Sequence, residues 1–323
     1  MKCSIIIRCY NEEEHIGRLL TGIMEQTIKN VEIILVDSGS TDATLAISSR
    51  FPVKIVSIKP EDFSFGRSLN IGCQHATGEF IAIASAHVYP VYKDWLEKML
   101  QPFVDNQIGL VYGKQRGNEI TKYAEHQIFA KWFSEISDFN QTHPFCNNAN
   151  AAIRRDLWSQ IPYDESLTGL EDLDWSKKIL SLDYKIAYVS DAEIVHVHNE
   201  TFKKIYNRYY REALAFKQIF PDEIFRFRDF VKFTITNTIT DYYHAWYDQA
   251  FWENLFSIPT FRFMQFWGTY KGFLQHGVIT NEVRQTFYYP RKMEKKQDTN
   301  KYHEDRKIDY YRLAEEECLE KIL

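Results

Sequence analysis

An α/β fold, with a mostly parallel sheet flanked by helices and a helical C-terminal extension, is predicted by three observations. Short runs rich in Ile and Val recur through residues 4–84, separated by segments of helical periodicity. Two of these runs end in polar clusters, SIIIRCYNE (4–12) and VDSGSTD (36–42), one strand-helix-strand interval apart. Both clusters therefore fall at the carboxyl ends of buried strands, where open α/β sheets bind ligands. From Lys203 onward the pattern is largely helical and rich in aromatic residues.

Strands are expected at 4–8, 31–36, 53–58 and 79–84, and helices at 13–26 and 40–49, the second opened by Ser40, Thr41 and Asp42 as capping groups. Another strand follows at 109–113. From there to about Thr142 the chain is polar and aromatic without clear periodicity, and it reads as a loop. Next come an apolar segment at 149–153, a helix at 170–182 and a strand at 185–189. Residues 291–306 have the charged, weakly apolar composition of a linker before a short final helix. The expected division is a sheet region, 1–200, and a mostly helical extension, 201–323.

A chain of 323 residues can bury a large core. Its 39 basic residues are balanced by 44 acidic ones, which argues against nucleic acid as a partner and for a small molecule. Cys3, Cys9, Cys73, Cys146 and Cys318 are scattered, with no CxxC pair and no signal peptide, the usage expected of a reducing, cytoplasmic setting. No apolar run approaches the roughly 20 residues that span a bilayer. The aromatic residues after 200 read first as packing, and next as a surface for sugar rings or a membrane interface.

Together with FGRSLNIG (65–72), ATGEFI (76–81), NNAN (147–150) and GLEDLD (169–174), the two polar clusters resemble glycosyltransferase family 2, which carries the Rossmann-like GT-A fold. The segments EDFSFGR (61–67), ASAHVYP (84–90) and VHVHN (195–199) look like its rhamnosyltransferase-type branch. The resemblance implies inverting transfer of a sugar from a nucleoside-diphosphate sugar to the hydroxyl of a glycan or lipid-linked acceptor. It also implies a role in surface polysaccharide or glycolipid synthesis. The aromatic C-terminal helices add an expected peripheral contact at the inner membrane, and the 114–142 stretch is expected to serve as an acceptor loop.

On that resemblance Cys9, Tyr10, Asn11 and Glu12 wrap the base and ribose, and Asp37 accepts a hydrogen bond from either; turn capping is the competing role for Asp37. Where the family ends its fourth strand in Asp-x-Asp, whose carboxylate holds a divalent cation on the diphosphate, this chain has Ser85, Ala86 and His87. Imidazole suits Mn better than Mg, so His87 is expected as a weak metal ligand or as a direct diphosphate donor. Arg67 and Asn70 are expected near the diphosphate. The general base maps to Asp172, with Glu171 beside it. In the 195–199 segment, His196 and His198 are expected on opposite sides of a strand, which makes His198 the second metal ligand and leaves His196 to the core or the strand surface. Three rivals stay open: a nucleotidyltransferase, which would show a glycine-rich phosphate loop where only Gly17 occurs, a catalytically impaired nucleotide-sugar-binding protein, and a membrane-surface adaptor resting on the aromatic C-terminal helices alone.

Overall fold

The computed structural model describes residues 2–275. The alternation seen in the sequence becomes β1 (Cys3–Cys9), α1 (Ile16–Met24), β2 (Val31–Asp37), α2 (Thr44–Ser48), β3 (Val53–Ser57), α3 (Phe65–His75) and β4 (Phe80–Ser85). There follow β5 (Val88–Pro90), α4 (Trp95–Leu100), β6 (Ile108–Arg116), α5 (Tyr123–Trp132), β7 (Asp138–Gln141), β8 (Asn150–Arg154), α6 (Arg155–Gln160), α7 (Glu171–Leu180) and β9 (Lys185–His196). The helical extension is α8 (Phe202–Ile219), α9 (Phe227–Tyr247), α10 (Phe251–Asn254) and α11 (Ser257–Leu274).

The strands form one sheet in the order β3-β2-β1-β4-β8-β6-β9-β5, with β7 paired to β9. β1 to β4 are mutually parallel, whereas β8 runs antiparallel between β4 and β6. Because β6 and β9 are parallel to each other, the carboxyl ends of β1, β2, β4, β6 and β9 and the start of β8 open on one edge of the sheet.

Alternation along β1 divides the core between the two faces: Ile5 and Ile7 enter one cluster and Ile6 the other. α1 covers the first face with Ile16, Leu19, Leu20 and Ile23, the i, i+3, i+4, i+7 stripe of an amphipathic helix. Each such side chain stabilises the fold by about 1.5–3 kcal/mol. α3 covers the other face with Leu69 and Cys73, and its start is capped by the Ser64 hydroxyl, which accepts from the Arg67 N–H at 3.1 Å.

Two expectations need correction. The stretch read as a loop holds α5 and β7. α5 buries Glu125 along with Ala124 and Phe129, and a carboxylate on the inner face hides the apolar periodicity. β9 runs on to His196, well past 189, and carries the chain across the edge where the site lies. The 291–306 segment and the final helix lie outside the described residues.

The extension is tied to the sheet region by α8, whose Arg211 carbonyl accepts from the Thr168 hydroxyl at 3.0 Å and whose Ile219 carbonyl accepts from the Lys177 ammonium at 2.7 Å. α11 lies against α8 through Gly268 and Gly272. A Cβ at Gly268 would stand 2.5 Å from the Tyr206 carbonyl, and one at Gly272 2.6 Å from the Ala213 methyl. α9 buries only a narrow stripe, Phe230, Asp241 and Ala245. In it Asp241 takes a two-pronged ion pair from Arg262 of α11 at 2.7 and 2.9 Å. No helix among the described residues is long and apolar enough to cross a membrane.

Candidate active site

The loops after β1 and β2 are stitched to each other. Asn11, with φ +54°, donates its N–H to the Ser40 hydroxyl at 2.9 Å and accepts the Thr41 N–H at 2.8 Å. The Glu12 N–H donates to the Thr44 hydroxyl at 2.7 Å, and the Ala43 N–H to the Glu13 carboxylate at 2.9 Å. Asp37 lies under this knot, buried, accepting the N–H groups of Gly39 and Ser40 at 3.0 and 3.2 Å. Its carboxylate thus forms the turn, and it sits opposite Cys9 in the strand register. The buried Cys9 thiol donates to Asp37 at 3.6 Å, and burial followed by the Asp37 charge pushes its pKa up, so Cys9 lines the site as a thiol. Tyr10 is half-buried in the same loop.

A second group lies across the ends of β4 and β9. His87, His196 and His198 each offer a ring nitrogen, all within 4.8 Å of one another. Each imidazole is oriented through its Nδ1: His87 on Glu12 at 2.8 Å, His196 on the Gln115 side-chain Oε1 at 2.8 Å and His198 on Glu125 at 2.9 Å. These acceptors assign the proton of each neutral ring to Nδ1 and leave Nε2 as a lone pair, the arrangement of histidines held for a metal by an outer layer of acceptors. The Nε2 atoms of His196 and His198 face each other at 3.0 Å, which two lone pairs tolerate only with a proton or a cation between them.

Burial, then the neighbouring His198 and His87, drives the pKa of His196 well below its usual value, which keeps it neutral. Burial works against charge on His87 as well, but Glu12 outweighs it and raises the pKa. Glu125 is penalised by burial yet held down to about 2 by Arg208 and His198. Arg208 also pairs with Glu200 at 2.8 Å, so in the alternative grouping of Glu125, His198 and Glu200 both carboxylates already share one guanidinium. The three imidazoles fit a transition-metal cation far better than Mg, which demands oxygen ligands.

The placing of His196 and His198 on opposite sides is therefore wrong. Residues two apart on an extended strand share a face, and the rings stand 4.0 Å apart between centroids. His196 joins the cluster instead of the core or strand-surface place expected for it.

The third group is at the start of α7. Leu170, immediately before it, is a non-glycine residue at φ +56°, a conformation that costs about 1–2 kcal/mol. This turn presents Glu171 and Asp172 to the site. Glu171 accepts from the Arg8 guanidinium at 2.9 Å, across to β1. Asp172 accepts the Asn148 N–H at 3.0 Å and its neighbour's, Leu173, at 2.8 Å. Burial and then the Glu171 charge push the Asp172 carboxyl up to about 7, against the opposing pull of these N–H groups and Arg8. A carboxylate in that range suits proton abstraction near neutrality.

Of the other expected residues, Ser85 closes β4 with its N–H toward the Ala149 carbonyl at 3.4 Å, and Ala86 is buried between Ser85 and His87. Arg67 points elsewhere, to Glu165 at 3.3 Å on the surface. Asn70 spends its amide inside the protein, donating to the Tyr163 carbonyl and Glu165 and accepting from Trp158 and the Tyr163 N–H. It ties α3 to the 161–165 segment. Sequence reasoning missed Arg8, Gln115, Glu125, Asn148 and Arg208. Arg8 had a visible signal, a charge interrupting an apolar run, and Asn148 lay inside a quoted motif; Glu125 and Arg208 had none.

Residues 4–161 match the model of glycosyl transferase family 2. The O-antigen chain rhamnosyltransferase RfbN of Salmonella typhimurium is 26% identical over 222 residues, covering 65% of this chain and 71% of the relative. The O-antigen chain rhamnosyltransferase WbaN of Salmonella anatum is 27% identical over 197 residues, covering 58% and 62%. The mannosyltransferase PcManGT from Pyrobaculum calidifontis, solved in complex with GDP-Man and Mn2+, shares the fold with a TM-score of 0.58 at 18% identity, over 84% of this chain and 85% of its own. With its mixed, mostly parallel sheet and the family match over residues 4–161, the chain is a glycosyltransferase whose sheet region is of family 2, and it is similar to the O-antigen rhamnosyltransferases.

Proposed function

We propose that the chain transfers a deoxyhexose, rhamnose by analogy with its relatives, from a nucleoside-diphosphate donor to a hydroxyl of a glycan or lipid-linked acceptor, with inversion, in surface polysaccharide synthesis. The observation that carries this reading is Asp172: a carboxylate at the sheet's ligand-binding edge, anchored by two backbone N–H groups and poised near neutral pH. Asp172 takes the proton of the acceptor hydroxyl as its oxygen attacks the anomeric carbon, and the bond to the diphosphate breaks on the opposite side. Glu171 keeps the Asp172 proton affinity high by its charge. The loop of Cys9, Tyr10 and Glu12, with Asp37 beneath it, is the proposed seat of base and ribose. His87, His196 and His198 would hold the divalent cation, Mn rather than Mg, with Glu12, Gln115 and Glu125 fixing the rings. Such a cation, when bound, supplies positive charge to the departing diphosphate.

The exposed aromatic residues of α9 and α10, among them Trp246, Tyr247 and Trp252, support peripheral contact with a membrane that carries the acceptor. The test is release of nucleoside diphosphate from a panel of UDP-, GDP-, dTDP- and CDP-linked hexoses and deoxyhexoses, with the product anomer read by NMR. Turnover of a deoxyhexose donor with inverted product is expected. A chain inert toward the whole panel, or a retained anomeric configuration, refutes the reading.

A further inference from the structure

A guanidinium stands between the two catalytic clusters. Arg8 follows the buried Ile5, Ile6 and Ile7 near the end of β1, in register with Val36 of β2 and Ser85 of β4, and its side chain is 15% exposed. A cation so enclosed is costly unless it is paired, and Glu171, 6% exposed, supplies the pair. Only one of the three guanidinium nitrogens is engaged, donating to Glu171 at 2.9 Å and to the Phe65 carbonyl at 3.4 Å. The Phe65 ring lies 4.9 Å from the guanidinium carbon and fixes its plane. Nε and the other terminal nitrogen, three N–H donors in a planar fork, have no protein partner among the described residues.

The position of this fork is defined from both sides. Through Glu171 it adjoins Asp172, and its charge acts on Asp172 and on His87 alike. A donor whose anomeric carbon is within reach of an acceptor hydroxyl on Asp172, and whose diphosphate approaches His87, must bring its phosphate oxygens past Arg8. Planar N–H forks bind phosphate oxygens in pairs. The end of β4 contributes no carboxylate to compete there, because it reads Ser85, Ala86, His87.

We infer that Arg8 binds the diphosphate of the donor directly, with Glu171 and Phe65 holding its guanidinium in position. The inference rests on the nucleotide-sugar reading above. It assigns to the protein a fixed cation for the leaving group, in addition to any metal at the histidines.

Calorimetry with UDP, GDP and dTDP, their nucleosides, and inorganic pyrophosphate tests it on the purified chain. Arg8→Gln is expected to weaken pyrophosphate and the preferred nucleoside diphosphate about ten- to a hundredfold, leaving the nucleoside unchanged. Arg8→Lys, which keeps the charge and loses the fork, falls between. The double variant Arg8→Gln, Glu171→Gln discriminates: if Arg8 merely neutralises Glu171, removing both charges restores pyrophosphate affinity, which overturns the inference, whereas direct binding predicts that the loss persists. Glu171→Gln alone, which takes a negative charge away, is expected to retain pyrophosphate. Should Arg8→Gln fail to fold with Glu171 unpaired, the double variant Arg8→Gln, Glu171→Gln removes both charges and must show the same loss. Pyrophosphate binding within twofold of wild type in Arg8→Gln or in the double variant overturns the inference and spares the function. A wild-type chain that binds none of the nucleotides overturns both.

Discussion

The pH dependence of transfer is the sharpest consequence of the Asp172 environment. Its carboxyl is raised from 3.8 to about 7, first by burial and second by Glu171. The base must be ionised to accept a proton, so the rate falls with acid: with a pKa of about 7, about nine-tenths of the chains carry the base form at pH 8 and about a tenth at pH 6, a drop of about tenfold. Glu171→Gln removes the second cause and leaves Arg8 without its counter-charge, and both effects lower the Asp172 pKa. The acid limb should therefore move to lower pH. Asp172→Asn should erase the limb and reduce kcat about a hundredfold or more, the usual share of general base catalysis.

The amide has one carbonyl oxygen where two carboxylate oxygens now serve Asn148 and Leu173, so one N–H loses its acceptor at a cost of about 1 kcal/mol, too little to unfold the chain. The assay is initial transfer rate at saturating donor from pH 5 to 9 for wild type and both variants. A flat wild-type profile between pH 6 and 8, or an Asp172→Asn enzyme with more than about a tenth of wild-type kcat, refutes the assignment.

Three further outcomes are expected. Asp37→Ala should weaken free nucleoside and nucleoside diphosphate together, because the lost contact is on the base or ribose; calorimetry showing an unchanged nucleoside would reduce Asp37 to the turn-forming role its bonds to Gly39 and Ser40 already show. Glu125→Gln, which loosens His198 without touching a metal, should lower Mn affinity about ten- to a hundredfold, measured by metal content after dialysis, while activity that survives exhaustive chelation would discount the histidine site. Asp241→Ala should cost about 3–5 kcal/mol in denaturant unfolding by stranding the buried Arg262, and a loss under 1 kcal/mol would mean the helices re-pack around it.

The strands on one side of the sheet and the polar loops after β1 and β2 were legible because each is a local pattern: an apolar run, a polar terminus, a cap. Asp172 was legible as part of a motif, although its raised proton affinity comes from burial by segments distant in sequence, against the opposing pull of the Asn148 N–H and Arg8. The histidines were misread through a miscounted strand period, since Val197 alone separates them and residues on either side of one position share a face. Asn70 shows the opposite limit, for its type and place fit a ligand contact while the side chains around it consume its amide. Glu125 was out of reach altogether. Its partner Arg208 is 83 residues away, and neither local spacing nor composition links them.

That last contact bears on how such enzymes can be recombined. The family match stops at residue 161, an inviting place to exchange one helical half for another. Yet His198 is steered by Glu125 from one side of that border, and Glu125 is kept ionised by Arg208 from the other. A chimera joined at the border inherits the carboxylate from one parent and its guanidinium and imidazole from the second. Unless both parents carry the same trio, the hybrid receives a buried charge with no counterpart and a histidine aimed at nothing. Glu125, His198 and Arg208 therefore behave as a single heritable unit, and crossovers that respect it belong before residue 125 or after residue 208.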